Sequence, residues 1–177
     1  MSWVAFFSQT GSEIYEVSRQ LNKYPDLIIC NKQNNLDSIN PNLIGKSPII
    51  FSSSKPSVDD YLQWTKEDDI ITLHGWLRIV PGEVCAQRNM YNGHPGLITE
   101  YPELKGKDPQ ERAFQGKYKN AGCVIHEVVP EVDAGKILYE HVINIDGLTL
   151  DEVYSSLHTV STNLWIEFLK EKFNGSH

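Results

Sequence analysis

The stretch YNGHPG, Tyr91 to Gly96, sets an amide, Asn92, and an imidazole, His94, two positions apart among residues that add no bulk. Both side chains can project into an open crevice at a strand end, the placement typical of a functional site. Gly93, Pro95 and Gly96 restrict the backbone and leave room around both groups, which reads as a stiff turn at the end of a strand. A carboxylate, Asp133, follows in HEVVPEVDAG, His126 to Gly135, within a loop bounded by Pro130 and Gly135. LHGWLRIVP, Leu73 to Pro81, adds a strand end followed by an apolar collar with one Arg. Taken singly, each motif also has a plain structural reading: an Asn-Gly turn, a solvated acidic loop, and a buried strand running into a helix.

The elements that carry these motifs are legible from hydrophobic spacing. WVAFF, PDLIICN, SPIIFSS and DDIITLHGW are short continuous apolar runs, the pattern of strands covered on both faces. Between the first two, Ile14, Val17 and Leu21 recur at helical spacing, and Pro56 to Thr65 forms a second helix. VPGEVCAQR reads as helical with Pro81 in its first turn, and NMYN as a short strand leading into the Asn-His stretch. KDPQERAFQG suggests a helix with Asp108 as its cap and Pro109 first. AGCVIHEVV and GKILYEHVINI read as an antiparallel strand pair joined by the Asp133 loop. Thr149 and Glu152 cap a final long helix whose stripe is Val153, Leu157, Val160, Leu164 and Phe168. Strands alternating with helices predict a doubly wound α/β fold, a mostly parallel sheet flanked by helices with antiparallel strands near its C-terminal part. Ligands of such folds gather at the carboxyl ends of the strands.

Composition bounds what the site can serve. The 177 residues carry 16 Lys and Arg against 23 Asp and Glu, a net charge of −7, which disfavours extended nucleic-acid contact but permits one small anion held by backbone N–H groups. No run reaches the roughly 18 apolar residues a membrane span requires. Cys30, Cys85 and Cys123 are odd in number and lack zinc-ligand spacing, so buried free thiols, a reducing cytoplasmic setting and no metal are expected. No leader is expected at Met1 to Trp3, one domain is expected over residues 1–174, and Gly175 to His177 read as a vector-derived tail.

In order and spacing, NGHP, VDAG and HGWLRIV resemble the folate-dependent formyltransferases, above all the glycinamide ribonucleotide transformylases, over almost the whole chain. The resemblance implies an enzyme that moves the formyl group of 10-formyltetrahydrofolate to a primary amine of a small nucleotide-like acceptor, glycinamide ribonucleotide or an amino-sugar nucleotide. It implies that Asn92 and His94 donate to the oxyanion of a tetrahedral intermediate, and that Asp133 raises the His94 pKa and shuttles protons, without a metal. The formyl donor is expected against Trp76, Leu77, Arg78, Ile79 and Val80 on one side. Val129, Pro130, Glu131 and Val132 are expected on the other. Thr10, Gly11, Ser12 and Glu13 fall where the family binds the acceptor's phosphate. Here Glu13 stands in place of the family's Asn, and Val160 in place of a Glu that meets the acceptor. His74, His141 and His158 match no family role and are expected to pack. A 10-formyltetrahydrofolate hydrolase, or a folate- or nucleotide-binding protein without turnover, are the other readings of the same residues. Monomer and homodimer are both compatible with the sequence.

Overall fold

The computed structural model describes residues 2–31, 36–131 and 133–175. Its sheet has the strand order β3-β2-β1-β4-β5-β6-β7. The strands are β1 (Trp3–Phe7), β2 (Leu27–Cys30), β3 (Ile49–Phe51), β4 (Ile70–His74), β5 (Asn89–His94), β6 (Asn120–Glu127) and β7 (Ile137–Asn144). β1 to β5 pair in parallel, whereas β6 runs against both β5 and β7. The helices are α1 (Ser12–Leu21), α2 (Val58–Trp64), α3 (Gly82–Cys85), α4 (Pro109–Gln115) and α5 (Leu150–Asn174).

All of β1 is buried because the sheet is covered on both faces, so its side chains divide by the strand's period of two. Trp3, Ala5 and Phe7 enter one core with Ile14, Val17, Trp165 and Phe168, on the side of α1 and α5. Val4 and Phe6 enter the other with Tyr61, Trp76 and Val84, on the side of α2 and α3. α5 closes the first core with Val153, Leu157, Leu164, Trp165, Phe168 and Leu169. Each large side chain so buried contributes about 1.5–3 kcal/mol. Its first turn is held by a reciprocal capping box between Thr149 and Glu152.

Several local expectations are corrected. β5 does not stop before a turn but continues through Gly93 and His94, which pair with Ile125 and Val124 of β6. Asp108 stands at the cap position of α4 but makes no side-chain cap, its backbone being left-handed at φ 53° where a capping residue is ordinarily extended. Ser57, not anticipated, forms a complete capping box at α2. Val160 is only half-buried, its place in the seal taken by Trp165 and Leu169. Cys30 and Cys123 are buried, the Cys123 thiol donating to the Leu157 carbonyl at 3.3 Å, whereas Cys85, at the end of the single turn α3, is half-exposed. Pro81 precedes α3 rather than lying in its first turn. Among the described residues, no helix is long and apolar enough to cross a membrane.

Candidate active site

A cleft of about 1010 Å³ opens at the carboxyl ends of β1, β4 and β5, where the strand order reverses around β1. Its wall includes the β1–α1 loop, the chain beyond β4, the end of β5, the loop after β6 and one face of α5.

Asn92 and His94 share one sheet face because they are two apart in β5, and the sheet pairing sets Asn92 opposite His126 of β6. The alternate residues face α5: Tyr91 packs on Phe168 at 4.8 Å between ring centroids, and Gly93 lies under Trp165. A Cβ on Gly93 would come within 2.7 Å of the indole Nε1, so the close approach of helix and strand requires glycine there.

Asp133 reaches this face from the loop after β6, with its backbone in the left-handed region at φ 53°, a conformation that Asp tolerates better than most residues. Its Oδ2 accepts from the Gly106 N–H at 2.9 Å and lies 3.3 Å from His94 Nδ1. Its Oδ1 lies 3.2 Å from His126 Nε2 and 3.3 Å from Asn92 Nδ2. Asn92 Nδ2 is also 3.3 Å from His126 Nε2. Four side chains from three segments thus converge, with His94, His126 and Asp133 all buried.

A main-chain carbonyl accepts from one nitrogen of each imidazole. His94 Nε2 donates to the Leu104 carbonyl at 2.8 Å, and His126 Nδ1 donates to its neighbour Glu127's carbonyl at 2.8 Å. Each ring therefore turns its remaining nitrogen toward the single carboxylate. Burial pushes the His94 pKa below its ordinary value, and the charges of His126 and Arg112 add to this; Asp133 and the Leu104 carbonyl oppose the shift without cancelling it. Asp133 does push the His94 pKa upward, but desolvation outweighs the carboxylate and leaves the net value lowered. For Asp133 the balance runs the other way. Burial alone would raise its pKa, but the hydrogen bond from His126, the charge of His94 and the Gly106 N–H hold it below the ordinary value.

His126 was not singled out as chemical by the sequence reading; its signal was its place seven residues before Asp133, on the strand that pairs with Asn92. His94 presents no N–H to the open cleft in this arrangement, both nitrogens being engaged. The two contacts of the Asn92 amide, at 3.3 Å, are at the long end for N–H donors and are readily exchanged for a shorter bond to a charged oxygen.

The segment expected to hold a formyl donor divides in two. Leu77 and Ile79 are 58% and 70% exposed at the cleft mouth beside Arg78. Trp76 and Val80 are buried, and the Trp76 indole donates to the Tyr61 hydroxyl at 3.1 Å, which leaves its ring edge-on to Phe6 in the core. Val129, Pro130 and Glu131 line the facing wall, and Val132 lies outside the described residues. Thr10 to Glu13 line the wall beneath α1. There Glu13 is bonded to His74 and Ser161. His74 is thus more than packing, whereas His141 lies on β7 away from the cleft and the exposed His158 lines its rim. Among the described residues, no set of three His, Cys, Asp or Glu side chains has the arrangement of a metal site.

Residues 4–169 match the family described as formyl transferase. The chain is 32% identical over 110 residues to the methionyl-tRNA formyltransferase of Thermotoga neapolitana, an alignment that spans 60% of this chain and 34% of that protein. It is 32% identical over 114 residues to the phosphoribosylglycinamide formyltransferase of Dictyostelium discoideum, spanning 58% of this chain and 54% of that one. The chain thus spans about a third to about half the length of these relatives. Its fold is similar to the crystal structure of phosphoribosylglycinamide formyltransferase from Campylobacter jejuni, with a TM-score of 0.81 at 21% identity over 97% of this chain and 96% of that one.

Proposed function

Because the chain belongs to the formyl transferase family, we propose that the cleft transfers the formyl group of 10-formyltetrahydrofolate to a primary amine of a small acceptor. The convergence of Asn92, His94, His126 and Asp133 on one face at the cleft supports this reading most directly. Glycinamide ribonucleotide and amino-sugar nucleotides are the acceptor candidates. Bound against Leu77 to Ile79 and Val129 to Glu131, the folate supplies the formyl carbon.

The chain's own groups handle the charge. As the amine nitrogen bonds to the formyl carbon, the carbonyl oxygen gains negative charge, and the Asn92 amide is the donor nearest to hand. His94, whose two nitrogens are held by the Leu104 carbonyl and by Asp133, supports the carboxylate rather than the oxyanion. The amine loses one proton as the carbon–nitrogen bond to the folate breaks, and the leaving folate nitrogen gains one. One and the same proton makes this passage: Asp133, steadied by the two imidazoles facing it, takes it up from the amine and hands it on to the leaving nitrogen, so that each group ends as it began.

The test is to incubate the chain with 10-formyltetrahydrofolate and each candidate amine while following tetrahydrofolate release and formylation of the amine. Release coupled to a formylated amine supports transfer. Release at the same rate without any amine would establish a hydrolase instead, and binding without release a non-catalytic protein.

A further inference from the structure

The wall of the cleft under α1 contains a carboxylate held in place by buried groups. Glu13 Oε1 lies 2.8 Å from His74 Nδ1, and Oε2 accepts from the Ser161 hydroxyl at 2.6 Å. The direction of these bonds is set from the core outward. The Trp3 indole donates to Thr72 Oγ1 at 2.8 Å, which leaves the Thr72 hydroxyl proton for His74 Nε2 at 2.7 Å. His74 Nδ1 therefore bears the proton that goes to Glu13. The His74 ring itself packs at a tilt of 44° against Trp165, 4.5 Å between centroids.

Burial alone would raise the Glu13 pKa, but the hydrogen bonds from His74 and Ser161 outweigh it and hold the value below the ordinary range. Each carboxylate oxygen keeps a lone pair. The Glu13 side chain remains 21% exposed, beside Gln9, Thr10 and Ser12 in the cleft wall. Among the described residues, no Lys or Arg side chain belongs to this wall, and those that line the cleft, Arg78 and Lys107, come from other loops. A phosphate monoester placed here would meet the Glu13 carboxylate, with only the imidazoles of His74 and His158 as neighbouring titratable groups that favour its charge.

We propose that Glu13 determines acceptor specificity: anchored by His74 and Ser161, its carboxylate accepts hydrogen bonds from hydroxyl groups of the acceptor and excludes a phosphate monoester from this wall. The acceptor class is a hydroxyl-rich amine, an amino sugar or riboside, without phosphate at this end. The inference rests on the formyl-transfer reading only in calling the ligand an acceptor.

The test is a calorimetric titration of the full chain with glycinamide ribonucleotide and with the same compound stripped of its phosphate. The wild type is expected to bind the stripped compound at least about tenfold more tightly, since a like-charge juxtaposition discriminates by at least that much. Glu13→Gln keeps the shape and removes the charge, and it should shift the ratio toward the phosphorylated compound by about tenfold or more. A wild-type ratio at or below unity, a ratio unmoved by Glu13→Gln, or no binding of either compound overturns the proposal. Should the Gln variant fail to fold, the wild-type ratio alone decides. Formyl transfer is scored separately, so its absence would count against the donor reading and leave the binding ratio legible.

Discussion

His94 Nδ1 faces Asp133 Oδ2 at 3.3 Å while the opposite nitrogen of the same ring is tied to the Leu104 carbonyl. Imidazole and carboxylate are thus held in a fixed relation by backbone on both sides, Leu104 for one and Gly106 for the other. His94→Ala and Asp133→Ala are each expected to lower kcat by about 10²–10³. Circular dichroism should show the fold intact, and near-normal turnover in either variant would remove the pair from the reaction.

Acid should weaken the native state in two steps. The folded His94 pKa lies below its ordinary 6.5, so the unfolded chain binds the proton more readily, and the stability this confers is complete above 6.5 and lost as pH falls through the folded value. Asp133, held below its ordinary 3.8, contributes stability that is complete above 3.8 and lost at still lower pH. Urea midpoints measured across this range should fall in that order, and His94→Gln should abolish the first step alone.

Removing the carboxylate should move the imidazole further down. Asp133 opposes the effect of burial on His94, so in Asp133→Asn the His94 ring titrates below its wild-type midpoint. An NMR titration of the ring protons reads this directly. A midpoint that stays or rises would show that the two groups are not coupled.

His126 acts on Asp133 in a comparable way. Its hydrogen bond is the largest influence keeping the Asp133 pKa low against burial, so His126→Ala should raise the carboxyl's midpoint, seen in carbon NMR. Activity at low pH should fall before activity at neutral pH does.

Gly93→Ala drives a methyl group into the Trp165 indole, with approaches of 2.7–3.0 Å. Overpacking of this kind costs about 1–3 kcal/mol. Chemical denaturation should show the loss, together with a change in Trp fluorescence. By contrast Thr149→Ala, which removes the cap of α5 at a residue outside the cleft lining, should cost about 1 kcal/mol and leave kcat unchanged.

Much of this arrangement was legible in the chain before any coordinates. The unbroken apolar runs of β1, β2 and β4 announce strands covered on both faces, and helical spacing marks α1 and α5. Asn92, His94 and Asp133 stand out because polar groups sit there among Gly and Pro. What local pattern could not supply is pairing. The chain reads Gly93-His94-Pro95 as a turn because only the partner strand β6 makes β5 continue, and His126 gains meaning only from lying across from Asn92. Glu13, His74 and Ser161 are far apart in the chain, and nothing local to any of them says that they meet. The same holds for His94: the upward pull of a carboxylate neighbour can be inferred from a motif, but the depth of burial that outweighs it cannot.

The Asn92–His94–His126–Asp133 cluster hangs on β5, β6 and the Asp133 loop, whereas the anchored Glu13 belongs to α1, β4 and α5. One side chain joins them: Trp165 lies over Gly93 of the first and against the ring of His74 in the second. An exchange that resizes this indole would therefore be felt at both ends of the groove at once.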